Sequence, residues 1–208
     1  MDQARTITKR DEIISAAIDA FAEKGFHAAK VADIAQRISM GHGTFYRYFG
    51  SKLDIFFAVI DFIVEKIQAE VAVDEPDATN TLSEYRDQII RMGKRIFSLF
   101  TEDARLAQII FYEAYGADED LNRRLDDLYN VIDRHVERYL VNGVRKGFLR
   151  KGLDTRYLSK AVRSIIFGGA KDVINARDRD LAAQRWIAAA VTLMLSGMAA
   201  DPEAAASI

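Results

Sequence analysis

Cysteine is absent from all 208 residues, which excludes disulfide cross-links and thiolate metal sites and suits a reducing cytoplasm. Proline occurs only twice, so little breaks a helical chain. Histidine stands at 27, 42 and 135 alone, too sparse for a histidine-based metal centre, and no metal or cofactor is expected. No uninterrupted run of eighteen apolar residues exists, so no membrane span is expected. The opening MDQARTITKRDEIISAA has no apolar h-region, and no secretory signal is read there. Catalytic signatures are missing too: no HExxH, no Gly-rich phosphate loop, no Ser/His/Asp order. Asp118, Glu119, Asp120, Asp126 and Asp127 read as solvated helix surface or helix start. An enzyme or carrier is therefore the weaker reading, and a cytoplasmic binding protein the stronger.

Half the residues are apolar, enough for a sizeable core. Frequent Ala, Leu, Ile and Arg predict an all-α protein. Ile13, Ile14, Ala17, Ile18 and Phe21 recur at helical spacing and predict a first helix from about Thr8 to Lys24, closed by Gly25. A second follows at about 31–38, a third at about 42–48 after a turn at Ser39-Met40-Gly41, and a long fourth at 52–73 capped by Ser51. DEPDATN at 74–80 is the clearest break. Five more helices are expected at about 82–100, 104–115, 118–146, 156–175 and 180–198. Gly147 ends the seventh, Asp154 or Thr155 caps the eighth, and a frayed tail runs from Ala199.

The net charge of −2 is unevenly spread. Between residues 24 and 52, Lys24, Lys30, Arg37, Arg47 and Lys52 oppose Asp33 alone, a local balance of +4 that leaves −6 on the remainder. A basic patch on an acidic body suits phosphate binding at one place. In the third helix Phe45 and Phe49 lie four apart and face the core, which turns Thr44, Tyr46, Arg47 and Tyr48 outward. Hydroxyls, phenols and a guanidinium on one exposed face suit phosphates and base edges. Gly43 lets backbone approach DNA closely, and the helix N-terminus offers free amides. Lys52 opens the fourth helix, where a cation costs about 0.3–1 kcal/mol, so a nearby phosphate is expected to hold it.

The segment GFHAAKVADIAQRISMGHGTFYRYFGSK, residues 25–52, resembles the TetR family of bacterial transcriptional regulators, whose signature GTFYRYFGSK nearly reproduces. The specific resemblance covers about the first quarter of the chain. Four departures stand out: Ser39 where the family usually has Gly, with a left-handed conformation expected; Gly41 where it has Ser or Thr as N-cap; His42 for a frequent Lys; and Lys30 for a frequent Ser or Thr.

The resemblance implies an N-terminal three-helix DNA-binding domain with a helix-turn-helix over 1–52, and a C-terminal helical ligand-binding and dimerisation domain over 53–208. It implies a dimeric, ligand-responsive repressor released from a palindromic double-stranded DNA operator by a small effector, and the Phe- and Tyr-rich body favours a lipophilic or aromatic one. The DNA-binding residues would be Lys30, His42, Gly43, Thr44, Tyr46, Arg47, Tyr48 and Lys52. Candidate pocket residues are Phe97, Ile109, Tyr112, Asn130, His135 and Phe167; candidate interface residues are Ile165, Gly169, Trp186, Ala190 and Leu193. A regulator working through a protein partner is the rival, and it predicts a fully packed body without an apolar cavity.

Overall fold

The computed structural model describes residues 8–113 and 119–201; Tyr115, the expected start at Asp118 and most of the tail lie outside them. The described residues form α1 (Lys9–Ala28), α2 (Val31–Arg37), α3 (His42–Phe45), α4 (Lys52–Val71), α5 (Leu82–Glu102), α6 (Ala104–Gln108), α7 (Glu119–Lys146), α8 (Thr155–Ile174) and α9 (Arg179–Met198), with no strand among them. The chain divides into two compact units: 1–65 with 105–125, and 66–104 with 126–208. The divisions fall inside α4, α6 and α7.

In the first unit α1 begins with a reciprocal cap. Thr8 Oγ accepts from the Asp11 amide at 3.2 Å while Asp11 accepts from the Thr8 amide at 3.0 Å. Gly25 does not end the helix as expected. It kinks it, at φ 76 and ψ 160, and the helix resumes to Ala28. The kink drives Phe26 inward beside Phe21 and Phe56, with ring centroids 4.4–5.9 Å apart. α6 is also shorter than its periodicity predicts. After Gln108 the chain widens into a π-helical turn, Ile109–Glu113, which changes the angular setting of its side chains. Glu113 Oε2 there accepts the Phe26 amide at 2.9 Å. A Cβ on Gly25 would sit 2.8 Å from that oxygen, in backbone space essentially restricted to glycine. Gly25→Ala is therefore expected to cost about 1–3 kcal/mol, read as a lower denaturation midpoint at unchanged denaturant slope.

In the second unit α9 lies against both α5 and α8. Caps close the helix starts: the Thr81, Asp154 and Asp178 side chains accept the Glu84, Tyr157 and Leu181 amides. The 74–80 segment holds a single 3₁₀ turn at Pro76–Ala78 and is tied to α7. Lys146 Nζ donates to Asp77 O, Thr79 O and Asn80 Oδ1 at 2.7–2.8 Å, and Asn142 Nδ2 to Thr79 O at 3.0 Å. Ala199 is not frayed: it pairs with Leu149, and the Ala200 amide reaches Phe148 O at 3.1 Å.

One helix stands out in its hydropathy. α9 carries an 18-residue window of mean hydropathy 1.2, long and apolar enough to cross a membrane by composition, although charged residues interrupt the helix. Its Ile187, Val191, Leu195 and Met198 are buried at helical spacing, so part of that apolarity is core.

Candidate nucleic-acid interface and effector cavity

α2 and α3 form a helix-turn-helix. The turn is tight: the Met40 amide bonds Ala35 O at 2.8 Å, and Ser39 sits at φ 50, the one non-glycine residue of positive φ among those described. Gly41 takes the extended N-cap conformation at φ −70 and ψ 146. α3 itself is one turn, ending at Phe45 rather than near Tyr48. The chain continues in tighter turns, with Arg47 N bonded to Thr44 O and Tyr48 N to Phe45 O. Phe45 and Phe49 are buried, with rings 5.9 Å apart. His42, Gly43, Thr44, Tyr46, Arg47 and Tyr48 all remain exposed. Tyr46 is 54% exposed and Tyr48 41%, a large aromatic surface beside a guanidinium.

The local charge is less free than a count of residues suggests. Lys24 pairs with Asp33 at 2.7 Å, and Arg37 pairs with Glu23. The Lys24 ammonium and the Lys30 amide together hold the Asp33 carboxyl below the usual carboxylate range. The Lys30 ammonium and the Arg47 guanidinium have no hydrogen-bond or ion-pair partner among the described residues, and both are exposed.

Lys52 has a different task from the phosphate contact expected of it. Its ammonium donates to Phe26 O at 2.7 Å, Ala29 O at 3.1 Å and His27 O at 3.2 Å, and lies 4.5 Å from the Phe26 ring centroid. An ammonium has three donors, and three carbonyls take them all. The counter-charge that offsets an unfavourable helix N-terminus comes from the end of α1. Together with Glu113, which binds the Phe26 amide, Lys52 fixes the Phe26 residue through both its N–H and its C=O.

The second unit holds an apolar cavity between α5, α7, α8 and α9, with a free space of about 80 Å³. Ile89, Met92, Ile96 and Phe97 of α5 line it with Val162, Ile165 and Ile166 of α8 and Trp186, Ile187, Ala190, Val191 and Met194 of α9. Tyr85 and Tyr139 bring the phenols. The Tyr139 hydroxyl donates to Asp74 O at 2.7 Å and lies 3.3 Å from His135 Nε2. Burial pushes the Tyr139 phenol up to about 12, and lowers His135 from its ordinary value, with the Arg138 charge adding to the latter. Tyr85 is 2% exposed, and its hydroxyl has no hydrogen-bond partner among the described residues. Burial drives that phenol upward as well, which keeps it protonated as a donor.

Residues 13–59 match the family described as "Bacterial regulatory proteins, tetR family". Over that segment the chain matches the DNA-binding domain of the TetR family. It is a DNA-binding helix-turn-helix transcriptional regulator and not an enzyme. The chain is similar to the fatty acid metabolism regulator protein of Bacillus subtilis, 27% identical over 163 residues, 78% of this chain and 80% of that protein. The transcriptional repressor Rv3405c of Mycobacterium tuberculosis is 39% identical over 70 residues, covering 32% of this chain and 37% of that one. Its fold is similar to that of FadR from B. subtilis, solved in complex with stearoyl-CoA, at TM-score 0.75 and 24% identity over 91% of this chain and 99% of that one.

Within the second unit, the sequence-based choice of lining residues fares unevenly. Phe97 lines the cavity. Ile109 is fully buried but belongs to the other unit, as does the 40% exposed Tyr112. Asn130 is exposed, His135 sits behind Tyr139, and Phe167 packs on Tyr129 with centroids 5.6 Å apart. Three of the supposed interface residues, Ile165, Trp186 and Ala190, line the cavity instead. Gly169 is buried, and a Cβ there would lie 3.0 Å from both Phe97 and Trp186. Leu193 alone of that set is well exposed, at 64%. Tyr85, Tyr139, Ile187 and Val191 were missed, because helical periodicity shows that a residue faces inward but not whether it meets a neighbour or a space.

Proposed function

We propose that this protein is a dimeric, cytoplasmic TetR-family repressor that binds a palindromic operator and leaves it when a long-chain lipid occupies the cavity. The carrying observation is the cavity itself: an almost wholly apolar space with an unpartnered buried phenol, the pattern of a site for a chain with one polar group. The B. subtilis relative bears the name of a fatty acid metabolism regulator, and the FadR structure holds stearoyl-CoA, which supports the same effector class here. A fully packed body would favour a regulator driven by a protein partner; the cavity speaks against it.

A free space of 80 Å³ is far smaller than a long acyl chain, so a chain enters only by displacing side chains. Met92 and Met194 are unbranched and give way at low cost. If the expanded form spaces the two reading heads wrongly for the operator, lipid and DNA affinities are linked and each weakens the other equally. Exposed Tyr157 on α8 and Leu181 and Leu193 on α9 support a helical dimer face. A dimer places two recognition helices about 34 Å, or a multiple, apart on a palindrome.

In the head, Thr44, Tyr46 and Tyr48 contact phosphates or a thymine methyl, Arg47 reads a guanine edge or holds a phosphate, and Lys30, His42 and the Gly43 backbone add phosphate contacts. Tyr48→Phe is expected to weaken binding to all sequences alike. Arg47→Ala is expected to cost about 1–3 kcal/mol and relax specificity at one position, measured by competition with single-base variants of the operator. The effector reading is tested by titrating the purified protein with stearoyl-CoA and stearic acid in calorimetry. Saturable binding, abolished by filling the cavity with Ala190→Phe, supports it; binding indifferent to Ala190→Phe contradicts it.

A further inference from the structure

We infer that the seam between α5 and α9 carries the second half of the effector site: a basic groove for the phosphate-bearing end of an amphiphile whose chain lies in the cavity. The inference rests on the lipid reading above. α5 presents two adjacent faces. Tyr85 and Ile89 turn to the cavity, while Arg86 and Lys94, two turns apart, line an open groove of about 620 Å³. On α9, Ile187 and Val191 line both spaces, so these side chains form a shared wall between them. Gly93 lets the helices close to that distance: a Cβ there would lie 3.3 Å from Ile187 Cγ1. The partition is thus made of side chains, and rotation of Ile187 can open it without moving a helix.

The chemistry of the groove selects anions. No acidic residue lines it. The Lys94 ammonium has no hydrogen-bond or ion-pair partner among the described residues, and Arg86 reaches only its exposed neighbour Asp87, at 3.4 Å. Gln184 and Ser196 add neutral polar groups to the same wall. A mobile ammonium and a guanidinium held by one long contact are free to reorient onto phosphate oxygens. An amphiphile with an uncharged end uses the cavity but gains little from this groove.

The test compares the unaltered protein with the double variant Arg86→Gln/Lys94→Gln, using stearoyl-CoA and stearyl alcohol as probes. Both substitutions are at the surface, and equal thermal midpoints confirm the fold. The expected result is a loss of about 10- to 100-fold in stearoyl-CoA affinity, with a weaker dependence on salt, and unchanged affinity for the alcohol. Equal stearoyl-CoA affinity in both proteins, or equal losses for both probes, overturns the groove while leaving the cavity reading in place. Failure of both probes to bind the unaltered protein overturns the cavity reading and the groove with it, while binding of the alcohol alone overturns the groove.

Discussion

Lys52→Ala is expected to lower the unfolding free energy by about 3 kcal/mol, and to weaken DNA binding only through that loss. Three charge-assisted hydrogen bonds to the Phe26, His27 and Ala29 carbonyls disappear, each of a kind worth about 1.5–3 kcal/mol and not additive, together with the cation over the Phe26 ring. The three carbonyls lie where α1 ends after its kink, and Lys52 is the group that gathers them. Two measurements separate this role from a phosphate contact. Denaturant unfolding reports the stability loss directly. The slope of log affinity against log salt, taken where the variant is folded, stays the same if Lys52 touches no phosphate and falls by about 1 if it does.

Arg163→Met is expected to cost about 3–5 kcal/mol, because it strands a carboxylate in the interior. Arg163 Nε donates to Asp133 Oδ1 at 2.7 Å, and the two side chains keep 19% and 10% of their surface. The guanidinium also stacks 4.7 Å from the Tyr129 ring centroid, so the substitution removes a face-on contact as well. The pair joins α7 to α8. The double variant Arg163→Met/Asp133→Leu is expected to recover most of the loss, since an apolar pair of similar volume needs no desolvation of charge. Denaturation midpoints of the two single variants and the double variant give the coupling. A double variant no more stable than Arg163→Met alone would mean that the stacked arginine, not the ion pair, holds this seam.

Much of the head was legible in the sequence because its rules are local. Phe45 and Phe49 four apart set a buried face, Ser39 fell where the turn demands a left-handed residue, and Ser51 accepts the Asp54 amide at 3.0 Å as a helix cap should. The extent of α3 was overestimated, since its apolar spacing persists through tight turns that are no longer α-helical. Lys52 has partners that the sequence does not show. A cation at a helix N-terminus signals that a negative partner exists, but three carbonyls at 26, 27 and 29 satisfy that demand as well as a phosphate, and only the folded chain brings them there. Glu113 was invisible in the same way: it meets Phe26 across 87 residues and through a π-helical turn that periodicity cannot announce. The cavity needed the structure most. Trp186 and Ala190 are apolar at helical spacing whether they face a partner subunit or a space inside their own.

The central claim is linkage between lipid and operator. The direct measurement selects a DNA consensus from a random pool with the purified protein, then follows the anisotropy of that labelled DNA bound to the protein as stearoyl-CoA is added. The account predicts a palindromic consensus and a saturable fall to the anisotropy of free DNA, reduced by Ala190→Phe. A stable complex at lipid concentrations that saturate the cavity would contradict it.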